Sequence, residues 1–360
     1  MLEKVALSFL KGMGPVRINT ALSKLATAEA FFKESLSDLQ RLTGLTVRQL
    51  STMDRQSALI SAEKELEACD KKGITPLFFL DERYPRRLRQ CPDAPIVIYQ
   101  KGPADLNARR LVAVVGTRSC TEYGREIVKE FISDLVGATP VVVSGLALGI
   151  DALAHEASLK SKLSTVAVLG HGLNDVFPTK NWSLAQNILE NQGAMVSEYS
   201  LFSKPTRGNF PVRNRIIAGL SDAIVVVESK DRGGSLITAE LGNDYYRDVF
   251  AFPGSVKQRH SAGCNALIRQ QKAHLVTGAK DFLNIMGWGG LHKTTQRAIM
   301  AEFTIEEKEV LEVLKGYEHL YLDELAEQCC KPTSQLMGIL LGLELKGSVV
   351  SLGGNKYAVH

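Results

Sequence analysis

Six short, valine-rich runs through the middle of this 360-residue chain constrain its fold more than any other feature. They are Leu111–Val115, Val141–Ser144, Thr165–Leu169, Ala194–Ser197, Ala223–Glu228 and Val249–Phe252. Each is near-continuously apolar rather than alternating, as strands buried on both faces are. Between them the spacing of apolar residues predicts helices, over Gly124–Leu135, Asp151–Leu159 and Asn181–Asn191. Strand, helix, strand repetition predicts an α/β domain built on a doubly wound parallel sheet, spanning residues 73–286. Such sheets bind ligands at the carboxyl ends of their strands. The unusual residues of this chain fall there.

The flanks read differently. Residues 1–72 carry apolar side chains at helical spacing (Leu22, Leu25, Phe31, Phe32, Leu36, Leu39, Leu42) and predict an N-terminal helical domain of the helix-hairpin-helix or SAM-like type. Its Gly12-Met13-Gly14 turn fits a helix-hairpin-helix, whose exposed N–H groups accept a phosphate, and fits a plain helix–helix turn equally well. A linker over 287–302 begins with Gly287-Trp288-Gly289-Gly290, and residues 303–360 predict a winged helix. There Thr304 and Glu307 make a capping box, Tyr321–Cys329 is a second helix, and a third runs from Pro332 to about Lys346. Gly347 ends it, before two short strands around Gly353-Gly354-Asn355. That third helix has lysines only at its ends, Lys331 and Lys346, which argues against reading of a major groove.

Composition narrows the class. With 45% apolar and 23% charged residues the chain reads as an ordinary globular protein. Its longest apolar runs, such as Ala223–Val227, fall far short of the roughly 18 residues that span a bilayer. Met1–Leu10 is broken by charge and does not read as a signal peptide, so a cytoplasmic location is expected. The six cysteines show neither disulfide nor zinc spacing, and no metal or cofactor is expected. A net charge of +4 is too mild to name a partner, so its placement matters more.

The first run ends in Gly116-Thr117-Arg118, a strand-to-helix turn whose N–H groups form an anion site. It lacks the Gly-x-Gly-x-x-Gly pattern of dinucleotide binders, and Arg118 favours a phosphate. The second run leads into Ser144-Gly145 and Gly149-Ile150-Asp151, with Asp151 expected to cap the next helix and His155 expected to pack against a neighbouring loop. The third ends at Gly170, and Lys180 follows. Three successive glycine-bearing strand ends predict a backbone-lined groove. The stretch from Lys204 to Arg215 holds four basic residues, no acidic one, Asn214, and a single aromatic, Phe210. Cations for the backbone and a ring for a base suit single-stranded nucleic acid. Phe210 in the core with paired arginines is the other reading of the same residues. A last loop, Arg232-Gly233-Gly234-Ser235, again suits a phosphate, and Glu240 follows on the next helix.

In this order the motifs resemble the DNA processing protein A family (DprA, also called Smf). The resemblance rests on Val112–Arg118 with Tyr123-Gly124, Val143–Ala147 with Gly149–Asp151 and Ala154-His155, Phe210–Ser221, Gly234–Ala239, and Phe252-Pro253-Gly254 with Gly263-Cys264-Asn265. It covers about Asp81 to Val276. It implies an extended Rossmann-like domain without a catalytic centre, which dimerises, binds and protects single-stranded DNA, and loads the recombinase RecA during natural transformation. By that resemblance Arg118 and the loop from Ser144 to Gly149 hold phosphates, Lys204, Arg213 and Arg215 line the groove, and Phe210 meets a base. Arg232 departs from the family pattern, which has a small residue and serine before the second glycine. The same loop with Thr238 and Glu240 faintly resembles nucleotide phosphoribohydrolases, which keeps an enzyme or a nucleotide sensor as alternatives.

Overall fold

The computed structural model describes residues 1–25, 27–289, 303–317, 319–346, 348–353 and 355–359. Met1–Gly290 forms one compact unit and Leu291–His360 a second. Most of the expected linker lies outside the described residues, as do Gly347 and Gly354.

The first unit is organised by a nine-stranded sheet. Its strands are β1 (Ile74–Phe78), β2 (Val97–Lys101), β3 (Leu111–Val115), β4 (Val141–Ser144), β5 (Thr165–Val168), β6 (Ala194–Ser197), β7 (Ala223–Val226), β8 (Asp248–Ala251) and β9 (His274–Leu275). In space they run β1-β2-β6-β5-β4-β3-β7-β8-β9. From β6 to β9 every pairing is parallel, while β1–β2 and β2–β6 are antiparallel. The six expected strands are all present, three of them ending one or two residues early. Strands β1, β2 and β9 add themselves at the edges.

Alternation along β3 explains its continuous apolarity. Val112 and Val114 join a core with the Glu122–Asp134 and Ile150–Lys160 helices, while Leu111, Ala113 and Val115 face the Asn209–Leu220 and Gly234–Asp244 helices. Both sides of the strand are covered, so no position is free to be polar. The N-terminal segment folds as helices and shares a core with β1, β2 and β6 through Phe78, Val97, Tyr99 and Met195. Buried Glu65 reinforces that contact by accepting the Leu201 N–H at 2.5 Å.

The second unit is the expected winged helix: helices Ile305–Lys315, Leu322–Cys329 and Thr333–Leu345 with a three-stranded sheet of β10 (Leu320–Tyr321), β11 (Val349–Gly353) and β12 (Lys356–Val359). The Thr304–Glu307 capping box is formed, with Glu307 accepting the Thr304 N–H at 2.8 Å. Among the described residues no helix is long and apolar enough to cross a membrane.

Candidate functional site

Connections from β3 run through β4 and β5 to β6 in one direction, while β7 lies on the other flank of β3. The loops leaving β3 and β7 therefore diverge, and a crevice opens at this switch point. It is a cleft of about 650 Å³. Val115–Ser119 forms one wall, Lys230 and the start of the Gly234–Asp244 helix another, and Phe210, Arg213 and Asn214 of the Asn209–Leu220 helix a third. Buried Glu228, just past β7, fixes the first wall: its carboxylate accepts the Thr121 N–H at 2.9 Å and hydroxyl at 2.6 Å, and its carbonyl accepts the Thr117 N–H at 2.8 Å. Gly116 is required there, since a Cβ would sit 2.5 Å from Ile150 Cγ1.

The cleft is cationic. Arg118, Arg207, Lys230 and Arg232 are exposed within it, and none pairs with a carboxylate among the described residues. Among the described residues its one lining carboxylate, Asp151, is buried, and burial pushes its carboxyl up while Arg213 opposes the rise. The Gly234–Asp244 helix begins without a side-chain cap, leaving first-turn N–H groups and the positive dipole end for an anion. The Arg118 guanidinium lies 5.6 Å from the Phe210 ring centre, and the Phe177 ring 5.8 Å from the same ring at 30°.

Beneath the cleft lies a buried polar cluster. Arg213 Nη1 donates to the carbonyls of Gly145, at 2.6 Å, and Val168, at the ends of β4 and β5. The Thr165 hydroxyl donates to the Val142 carbonyl at 2.8 Å, so His155 Nδ1, 2.7 Å away, carries the proton in their contact. Burial, aided by the Arg213 charge, pushes the His155 imidazole down to about 3, and the ring is neutral. Asp151 is not the helix cap expected of it. Gly149 occupies the cap, and Asp151 is the second residue of the helix, within its first turn, accepting the Ala147 N–H at 3.4 Å.

Of the residues singled out from sequence, Gly116, Arg118, Phe210, Arg213, Asn214, Gly234 and Ser235 line the cleft. Ser144, Gly145, Gly149 and Gly170 support it. The Ser144 hydroxyl donates to Val114 O at 2.7 Å, and a Cβ on Gly149 or Gly170 would meet Thr117 O at 2.3 Å or the Phe210 ring at 3.1 Å. The remaining three neither line nor support it. Lys180 is exposed outside it, Lys204 is exposed and pairs with Asp175 at 2.9 Å, and Arg215 is buried in an ion pair with Glu198, donating also to Asp93 O at 2.6 Å. The segment from Asn209 is a helix, and residues two apart on a helix point about 200° away from each other. Arg213 and Arg215 therefore cannot both face one cleft. Sequence reasoning passed over Lys230 and Phe177, one charge in the mixed run Glu228-Ser229-Lys230-Asp231-Arg232 and a lone ring in a glycine-bearing loop. Glu240 lies outside the cleft, 3.8 Å from Lys272.

Residues 75–287 match the family model described as DNA recombination-mediator protein A, and residues 298–355 match the DprA winged helix domain. The chain belongs to this family. Within the DprA/Smf proteins, Protein Smf of Escherichia coli is 34% identical over 98% of this chain and 93% of its own length. The X-ray structure of DprA from Streptococcus pneumoniae superposes with a TM-score of 0.66 at 36% identity, covering 78% of this chain and 95% of that one. DprA from Helicobacter pylori, whose structure is described as revealing a single-stranded DNA binding mode, gives 0.54 at 28% identity, covering 59% and 95%.

Proposed function

We propose that this DprA/Smf chain binds single-stranded DNA in the switch-point cleft, holds no catalytic centre, and works in the cytoplasm as a homodimer. In this reading it shields incoming strands and hands them to the recombinase RecA during natural transformation. One observation carries the proposal: four exposed cations, an uncapped helix start and two aromatic rings share a cleft whose one carboxylate among the described residues is buried. Cations and helix N–H groups suit phosphates, and rings suit bases of any sequence. The membership in a recombination-mediator family and the DNA-binding relative support the same reading.

A nucleotide-hydrolysing reading needs an available carboxylate beside the nucleotide. Glu240 stands outside the cleft, and Asp151 is buried beside Arg213. The winged helix is a poor source of DNA affinity, since residues 303–360 hold nine Asp and Glu against five Lys and Arg. The test of the hand-over is the lag in RecA ATP hydrolysis on single strands precoated with this protein. A shortened lag, with the strands protected from nuclease, supports it; an unchanged or longer lag contradicts it.

A further inference from the structure

We propose that Phe177 is the base-stacking platform of the cleft, and that Phe210 serves as the support beneath it. The proposal rests on the single-stranded DNA reading and assigns a residue to its base contact. Phe210 already has close neighbours: the Arg118 guanidinium at 5.6 Å, the Phe177 ring at 5.8 Å, and the Gly170 backbone, where a Cβ would stand 3.1 Å from the ring. It is half-buried. Phe177 lines the same cleft with 44% of its surface exposed.

A ring that stacks a base needs a free face and a fixed position, because an ordered ring loses little entropy on binding. Phe177 has both. The loop that carries it is anchored on either side: Gly172 N–H donates to Ser203 O at 2.9 Å, Asn174 N–H to Leu201 O at 3.1 Å, and buried Asn181 donates Nδ2 to Leu146 O at 2.9 Å. An exposed apolar ring alone would mean little. Here it leans on a second ring that a guanidinium contacts, beside the cations that would hold the flanking phosphates. Phe210 then acts as a positioning residue, keeping the Phe177 ring at its angle and Arg118 over the cleft.

The test is anisotropy with labelled oligo(dT) and with an abasic oligomer of equal length and charge, using wild type, Phe177→Ala and the control Phe202→Ala. Phe202 is also exposed, at 57%, but does not line the cleft. Phe177→Ala is expected to weaken oligo(dT) about 5- to 100-fold and leave the abasic oligomer unchanged, with Phe202→Ala matching wild type on both. Phe177→Trp supplies a second readout: its added fluorescence is expected to be quenched by oligo(dT) and not by the abasic strand. Equal binding of oligo(dT) by Phe177→Ala and wild type, equal loss on both oligomers, or a Trp signal blind to oligo(dT) overturns the proposal alone. Failure of wild type to bind either oligomer overturns it together with the reading beneath it.

Discussion

Arg213→Ala is expected to destabilise the Met1–Gly290 unit by about 3–5 kcal/mol, an effect on folding that precedes any effect on DNA. The side chain is only 4% exposed although it borders the cleft. Its Nη1 holds the carbonyls of Gly145 and Val168, and stranding a buried carbonyl costs about 1–3 kcal/mol each. Buried Asp151 also loses its cationic neighbour, which brings the total into the range measured for broken buried pairs. In a unit of this size the melting temperature should fall on the order of 10 °C. Arg118→Ala, exposed and without an ion pair among the described residues, should stay within about 0.5 kcal/mol of wild type. Thermal melts and urea titrations read both. Asp151→Asn added to Arg213→Ala should recover part of the loss, because it removes the stranded charge. An Arg213→Ala protein that melts within about 2 °C of wild type would refute the buried-cluster reasoning.

Two further outcomes are expected. Gly149 has φ +81° and a Cβ there would stand 2.3 Å from Thr117 O, so Gly149→Ala should cost about 3 kcal/mol or more and weaken DNA binding by displacing Arg118; a melt unchanged from wild type would contradict this. Buried His155 stays neutral until about 3 while the unfolded chain takes up its proton near 6.5, so stability held at neutral pH is lost as pH falls through that window, by up to about 1.4 kcal/mol per pH unit. His155→Gln should flatten the stability curve between those values, and parallel curves for variant and wild type would contradict it.

The parallel core was legible because strands covered on both faces have a one-letter-like signature of valine and alanine, and because glycine marks the ends of β3, β4 and β5. The edge strands β1 and β2 were less so: Pro76 interrupts the first, and Gln100 and Lys101 close the second with polar side chains. The cleft was legible in Arg118, the late glycine loop and Phe210, whose local composition matches their place. It was not legible in Arg215 or Lys204. Composition marks both as cationic, yet Glu198 and Asp175, distant in sequence, decide where those charges go. Nor could Asp151 be told from a helix cap, since only the buried neighbourhood of Arg213 reveals it as part of the floor.

The central claim is tested most directly by oligo(dT) affinity measured across a salt series for wild type and Arg118→Ala. The account predicts that log affinity falls linearly with log salt for wild type, by about 0.7 per phosphate held on a single strand. Arg118→Ala, folded as judged by its melt, should bind more weakly and lose about one such increment of slope. Well-folded wild-type protein that shows no salt-dependent binding of oligo(dT), or an Arg118→Ala protein with unchanged affinity and slope, would contradict the assignment of the cleft to single-stranded DNA.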